Sequence, residues 1–215
     1  MNELLDGKDV VMVGPSKSLI GSGMGPTIDK FDTVVRLNKS VPLNKALVSD
    51  IGSRTDILYH CLDEPKKSKV NVDDYLEDGV KCVVSSYPAL SYTAPNINYF
   101  TRINKDRIPF MVTDLGIFNE IQDEIGTRPN TGLLALVDLL GYDINKLYIT
   151  GFCFYKYLYY DGYSDMPEIQ HKRALESPAH DHNKQMQYWA KLYKEDKRII
   201  IDKVLKDIFN SEGLL

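Results

Sequence analysis

The feature that most constrains this chain is a short, almost wholly apolar run that recurs along it, each time cut off by a glycine or a polar turn. Val10-Val11-Met12-Val13 stops at Gly14-Pro15, and Thr33-Val34-Val35-Arg36-Leu37 runs into Asn38. Lys81-Cys82-Val83-Val84-Ser85 repeats the pattern, as does Lys146-Leu147-Tyr148-Ile149-Thr150 before Gly151-Phe152. Runs of this length without apolar–polar alternation predict strands buried on both faces. Such strands need cover above and below, which helical crossovers between parallel strands supply.

Helical patterns fall between these runs. From Thr131 to Leu140, Leu133, Leu134, Leu136, Val137, Leu139 and Leu140 surround most of the cylinder, which predicts a buried helix. Residues 181–195 predict an amphipathic helix with Met186, Trp189, Ala190 and Leu192 inward. Asn71 to Leu76 reads as a capped helix, Lys203 to Phe209 as a short one, and Ser16 to Ser22 as a helix ended by Gly21 and Gly23. Asp56 to Tyr59 and Arg198 to Ile201 complete the strands, while Ile97 to Arg102 and Phe110 to Val112 read as extended segments. The expectation is one α/β domain over residues 1–215, Rossmann-like, with a mostly parallel twisted sheet and helices on both faces.

Charge and composition narrow the function classes. A net charge of −4 gives no global basic footprint for nucleic acid or anionic membrane. The run Pro65-Lys66-Lys67-Ser68-Lys69 is too short to change that, and reads as a solvated loop. The 3 cysteines, Cys61, Cys82 and Cys153, have no close pairing, so neither a disulfide framework nor a zinc site is expected. They read as small buried hydrophobes in a reducing compartment. The start, Met1-Asn2-Glu3-Leu4-Leu5-Asp6, carries no signal-peptide pattern, and no apolar run approaches the ~20 residues of a membrane span. A cytoplasmic location is the expectation. Tyr155, Tyr157, Tyr159, Tyr160 and Tyr163 form a dense set that suits either a sugar- or base-binding wall or a structural face.

Ligands of open α/β sheets bind beyond the carboxyl ends of the strands, where loops meet helix amino ends. Three segments fall there: Gly14-Pro15-Ser16, Asn130-Thr131-Gly132 and Gly151-Phe152. Glycine permits close backbone approach, Ser16 and Thr131 offer hydroxyls, and a helix beginning at Thr131 aims amides and a positive dipole end at an anion. Neither common phosphate formula fits. The dinucleotide G-x-G-x-x-G should follow the first strand directly, but Gly14 stands alone and Gly21, Gly23 and Gly25 come later. This removes a nicotinamide-dependent oxidoreductase. The triphosphate loop needs a glycine before Lys17-Ser18, where Ser16 stands. A monophosphate or nucleoside-monophosphate site remains.

The stretch V-x-V-G-x-S, then S-G-M-G-x-x-I-D-x-F-D-x-V-V-R-L-N, then Asp50-Ile51-Gly52-Ser53-Arg54-Thr55, resembles the large sialylmotif of sialyltransferases, glycosyltransferase family 29. Arg128-Pro129-Asn130-Thr131-Gly132-Leu133-Leu134-Ala135-Leu136, followed by Leu147-Tyr148-Ile149-Thr150-Gly151-Phe152, resembles their small sialylmotif. Leu158-Tyr159-Tyr160-Asp161 stands at the third motif, and His180-Asp181-His182-Asn183-Lys184-Gln185 at the very short one. The four segments occur in the family's order over residues 10–185.

The resemblance implies an inverting, metal-independent transferase that moves an acidic keto-sugar, sialic acid or Kdo, from its CMP donor to a glycan hydroxyl. Its partners are that donor and a glycan acceptor, with no cofactor, no metal and no nucleic acid. By resemblance, Gly14, Ser16 and Asn38 hold nucleotide and phosphate, as do Asn130, Thr131, Gly132, Gly151 and Phe152. Tyr159 and Tyr160 line the site through the third motif, and His180 is the catalytic base. The chemistry agrees. A CMP leaving group carries less charge than a nucleoside diphosphate, so amides and hydroxyls at a helix end can stabilise it. Histidine titrates near neutrality, as a base for a sugar hydroxyl should.

Each of these residues also has a plain structural use. Ser16 and Thr131 stand where helix caps stand, Asn38 where a turn residue does, and Gly151 where a strand ends. His180 and His182 lack a third ligand for a metal. The chain also departs from the family pattern: Pro15 replaces an asparagine, Leu158 the third-motif histidine, and Gln185 the glutamate of the very short motif. The cysteine pair of the animal enzymes is missing, which suggests a bacterial or viral branch. His171, Tyr159 or Tyr160 could take over from the missing third-motif histidine. These departures also motivate a second reading, a catalytically weakened nucleotide- or glycan-binding protein that keeps the sialyltransferase fold.

Overall fold

The computed structural model describes residues 1–62, 70–163, 167–176 and 179–215, so the lysine run at 65–69 lies outside it. Among the described residues, seven strands form one sheet: β1 Asp9–Val13, β2 Thr33–Leu37, β3 Ile57–His60, β4 Cys82–Ser85, β5 Phe110–Val112, β6 Lys146–Thr150 and β7 Ile199–Ile201. Their order is β5-β4-β3-β2-β1-β6-β7, and every pairing is parallel. From β1 the chain steps outward through β2 to β5, then returns to the far side of β1 for β6 and β7. The reversal between β1 and β6 is a topological switch point, where a crevice opens beyond the strand ends.

The alternation of side chains across the pleat divides the core. Val10, Met12, Val35, Ile57, Tyr59, Val84, Leu147 and Ile149 face one side. There they meet the helices Leu115–Ile125, Thr131–Leu140, His182–Glu195 and Lys203–Ser211. On the other side Leu58 and Val83 pack against the helices Val72–Glu77 and Ala94–Asn104. Val11, Val13 and Val34 pack against Ile28, Ile51, Tyr160 and Tyr163. Each fully buried Leu, Ile or Val side chain contributes roughly 1.5–3 kcal/mol relative to exposure.

Two local expectations are corrected, and one helix is added. Ile97 to Arg102 lies within the helix Ala94–Asn104, not an extended segment. Ile97 and Phe100, three apart, share its buried face, and Pro95 sits in its first turn, where a missing amide costs nothing. Ser16 to Ser22 yields only a single 3-10 turn, Lys17–Leu19, capped by Ser16. The helix Leu115–Ile125 was not anticipated. Asp114 caps it by accepting from the Gly116 and Ile117 amides (2.7 and 3.2 Å), and Gly126 ends it at φ +64°. Among the described residues, no helix is long and apolar enough to cross a membrane.

Candidate active site

The switch-point crevice is walled by two loops that touch backbone to backbone. Gly14 donates its amide to the Thr150 carbonyl (2.8 Å), and Ser16 donates to the Gly151 carbonyl (3.0 Å). A Cβ on Gly14 would lie 2.3 Å from the Gly151 oxygen, and one on Gly151 would lie 2.6 Å from the Gly14 oxygen. These glycines are required by their contact with each other. Asp202 secures the second loop by accepting from the Gly151 amide (3.0 Å) and the Thr150 hydroxyl (2.8 Å). On the other flank, the Pro15 carbonyl accepts from Tyr160 (3.1 Å), and Lys17 donates to the Leu158 carbonyl (2.8 Å). The tyrosine-rich segment is thereby pinned to the loop after β1.

The second glycine turn already holds an anion of its own chain. The Asp50 carboxylate accepts the amides of Gly21 (2.9 Å) and Gly23 (2.8 Å), and these bonds hold its pKa below the usual 3.8. Gly25 packs so closely that an added Cβ would lie 2.0 Å from the Val48 oxygen. Nearby Arg36, fully buried at the end of β2, donates to the carbonyls of Arg54 (2.8 Å) and Ile51 (2.5 Å). The irregular glycines between β1 and β2 therefore fasten this loop to the 48–54 segment.

Asn38 follows β2 at φ +47°, a left-handed conformation that asparagine tolerates better than most residues. Its Oδ1 accepts the Cys61 amide (2.9 Å), which ties the ends of β2 and β3 together. Asn130 caps the helix Thr131–Leu140 by accepting from Leu133 (2.9 Å). The first-turn amides of Thr131 and Gly132 have no intrahelical acceptor and carry the positive end of the dipole. Facing this turn, His180 places Nδ1 2.7 Å from the Arg128 carbonyl oxygen. A carbonyl only accepts, so Nδ1 carries the proton and the lone pair of the neutral ring sits on Nε2.

These parts enclose a cavity of about 300 Å3, at the small end for ligand sites. Ser16, Asn38, Asn130, Thr131, Gly132, Gly151, Phe152, Tyr159 and His180 all line it. Gly14 and Tyr160 do not. Gly14 lies one step deeper against Gly151, and Tyr160 is 2% exposed in the core beside Ile28 and Ile51. The wall also contains residues that sequence reasoning missed. The Arg128 guanidinium lies 4.5 Å from the centre of the Tyr87 ring, a cation–π contact that presents a fixed positive charge. Trp189 packs against Phe152, with ring centres 4.9 Å apart and planes tilted by 46°, and its buried indole N–H has no acceptor among the described residues. Tyr155 and Tyr163 join Tyr159, and burial pushes all three phenols up, so they remain neutral donors. Arg128 begins the R-P-N-T-G segment, so adjacency to Asn130 was the available signal.

The family model of glycosyltransferase family 29 (sialyltransferase) matches residues 7–197 of the chain. The chain belongs to glycosyltransferase family 29. It is thus a sialyltransferase-like glycosyltransferase, and solved sialyltransferases share its fold. A mammalian sialyltransferase is 18% identical, with a TM-score of 0.60 over 92% of this chain and 69% of that one. An alpha-2,3-sialyltransferase from Campylobacter jejuni in apo form is 12% identical, with a TM-score of 0.58 over 94% and 78%. The sialyltransferase CstII from Campylobacter jejuni, in complex with the substrate analogue CMP-3FNeuAc, is 14% identical, with a TM-score of 0.54 over 95% and 83%. No curated protein matches in sequence.

Within this family-29 chain, the three departures occupy distinct places. Pro15 lines the cavity while its carbonyl anchors Tyr160. Leu158 is outside the wall, and the neighbouring Tyr155 and Tyr159 present hydroxyls that are hydrogen-bonded to each other. Gln185 is fully buried, accepting from the Asn130 amide (2.9 Å) and reaching the Arg128 carbonyl (3.4 Å). Both of these partners are peptide groups, not a cation. None of Cys61, Cys82 and Cys153 is in a disulfide.

Proposed function

We propose that the protein transfers an acidic keto-sugar from its CMP donor to a glycan hydroxyl, with inversion and without a metal ion. The observation that carries this reading is the cavity wall: it joins His180, held with its lone pair on Nε2, to the Asn130-Thr131-Gly132 helix start and Arg128. His180 takes the proton of the acceptor hydroxyl as its oxygen attacks the anomeric carbon. The bond to the CMP oxygen breaks, and the released phosphate charge meets the first-turn amides, Ser16 and the tyrosine hydroxyls. No Asp or Glu among the described residues lines the cavity. That favours one direct displacement, which inverts, over a double displacement through a carboxylate.

Sialic acid is the donor sugar that the family name suggests, and CMP-3FNeuAc is bound by the CstII relative. CMP-Kdo presents the same carboxylate beside the same leaving group. Incubating the protein with CMP-sialic acid and CMP-Kdo, with and without EDTA, tests the reading. Hydrolysis or transfer unaffected by EDTA, with inverted product by proton NMR, is expected. Failure of CMP and both donors to bind at millimolar concentration would overturn it. The weakened-binding-protein reading draws on Leu158, which brings no titratable group to the wall. Under that reading CMP binds, no turnover is seen, and His180→Ala changes nothing. Under the transferase reading, His180→Ala loses about 10²–10⁴-fold in kcat while CMP still binds.

A further inference from the structure

We infer that Gln185 is a positioning residue, whose amide fixes the tautomer of His180 and the start of the cavity helix through one clamp. The inference rests on the function proposed above for His180. Segments 127–130 and 179–185 lie side by side and are stitched at successive points. Thr127 Oγ1 accepts from the Asp181 amide (3.3 Å) and donates to the Ala179 carbonyl (3.4 Å). The Arg128 carbonyl receives His180 Nδ1 (2.7 Å) and Gln185 Nε2 (3.4 Å), while Gln185 Oε1 takes the Asn130 amide (2.9 Å).

The two ends of the Gln185 side chain face opposite chemistry. Its oxygen meets a donor, and its nitrogen meets an acceptor. Only a group that donates and accepts at once satisfies both. The chain is constrained further because Gln185 is fully buried, so water cannot replace a lost partner. Setting the Arg128 carbonyl fixes which nitrogen of His180 carries the proton. Setting the Asn130 amide fixes the cap of the helix Thr131–Leu140. An ionised carboxylate in this place keeps the second bond and sets an oxygen against the Arg128 oxygen. A protonated carboxyl, which can donate, restores the clamp.

Gln185→Glu and Gln185→Met test this. Long-range proton–nitrogen NMR reports the His180 tautomer without any need for turnover. In the parent, Nδ1–H should dominate in the neutral ring across the pH range. In Gln185→Glu the Nδ1–H share should fall as pH rises and the new carboxyl ionises, and recover on acidification. Where CMP-sugar is turned over, kcat of this variant should fall about tenfold on the alkaline side alone. Gln185→Met, close in shape but unable to make either bond, should lose the tautomer preference at every pH. A parent-like tautomer and pH profile in both variants would overturn the inference. A parent that binds no CMP would overturn the proposed function instead, and the tautomer comparison would still decide the role of Gln185.

Discussion

The α-carbon of Gly14 sits so close to Gly151 that any Cβ on it would lie 2.3 Å from the Gly151 carbonyl oxygen. Gly14 also donates to Thr150 (2.8 Å), so it cannot withdraw without breaking the seam between the loops after β1 and β6. Gly14→Ala forces that seam apart at the floor of the crevice. Overpacking of this kind costs about 3 kcal/mol, which in a chain of this size lowers the melting temperature by roughly 6–12 °C. The drop should be visible by calorimetry and should come with weakened CMP binding. A variant that melts and binds like the parent would show that the loops can slide.

Asp50 and the amides of Gly21 and Gly23 give a prediction in acid. The two bonds hold the Asp50 carboxyl below its usual 3.8, so the folded state sheds this proton more readily than the unfolded chain. The stabilisation is present above that value and is lost as pH falls through the lower, folded pKa. Asp50→Asn should therefore be less stable than the parent at neutral pH, and the gap should close below about pH 4. Paired urea titrations at several pH values measure it. A gap that stays constant into acid would remove the ionised carboxylate from the explanation.

How far the sequence was legible follows from where each interaction partner lies. The parallel sheet could be read because strands buried on both faces leave unbroken apolar runs, such as Val10 to Val13. The helix Ala94–Asn104 could not: Ile97 and Phe100 are strand-forming residue types. Its C-terminal end is closed by the contact of Asn104 with the Ile108 carbonyl (2.7 Å), which lies beyond the helix. Among the cavity residues, Ser16 and Asn130 to Gly132 could be read from the strand ends and a helix start, and Asn38 from the family resemblance. Tyr87 and Trp189 could not, because they reach Arg128 and Phe152 only after β4 and the helix His182–Glu195 have packed. The spacing of the glycines between β1 and β2 matches no phosphate formula because the anion their amides hold is Asp50, 29 residues beyond Gly21 and 27 beyond Gly23.

In the proposed transfer, the hydroxyls of Tyr155 and Tyr159, hydrogen-bonded to each other beside Leu158, would contact the leaving group in place of the third-motif histidine. Burial pushes both phenols up, so each retains its proton at neutral pH. Removing one charge-facing hydrogen bond costs about 1.5–3 kcal/mol, so Tyr155→Phe and Tyr159→Phe should each lower kcat about 10–100-fold. KM for the donor should move less, since the charge grows only as the bond to CMP breaks. Full activity in the double variant would assign the leaving-group contact to other residues.

His60, at the end of β3, supplies a pH response that is independent of the cavity. It is 1% exposed, its Nδ1 accepts the Leu62 amide (2.8 Å), and burial, with Lys39 adding repulsion, pushes its pKa from 6.5 down to about 4. Between those values the unfolded chain takes a proton that the folded one refuses. Stability is therefore full above pH 6.5 and is lost as pH falls towards about 4. The whole loss is roughly 3 kcal/mol at 1.36 kcal/mol per unit. The urea midpoint of the parent should fall between about pH 7 and 4.5. His60→Gln, whose side-chain oxygen can accept the Leu62 amide, should lose less over the same range. Equal slopes in the two proteins would exclude His60 as the titrating group and return the acid response to the carboxylates.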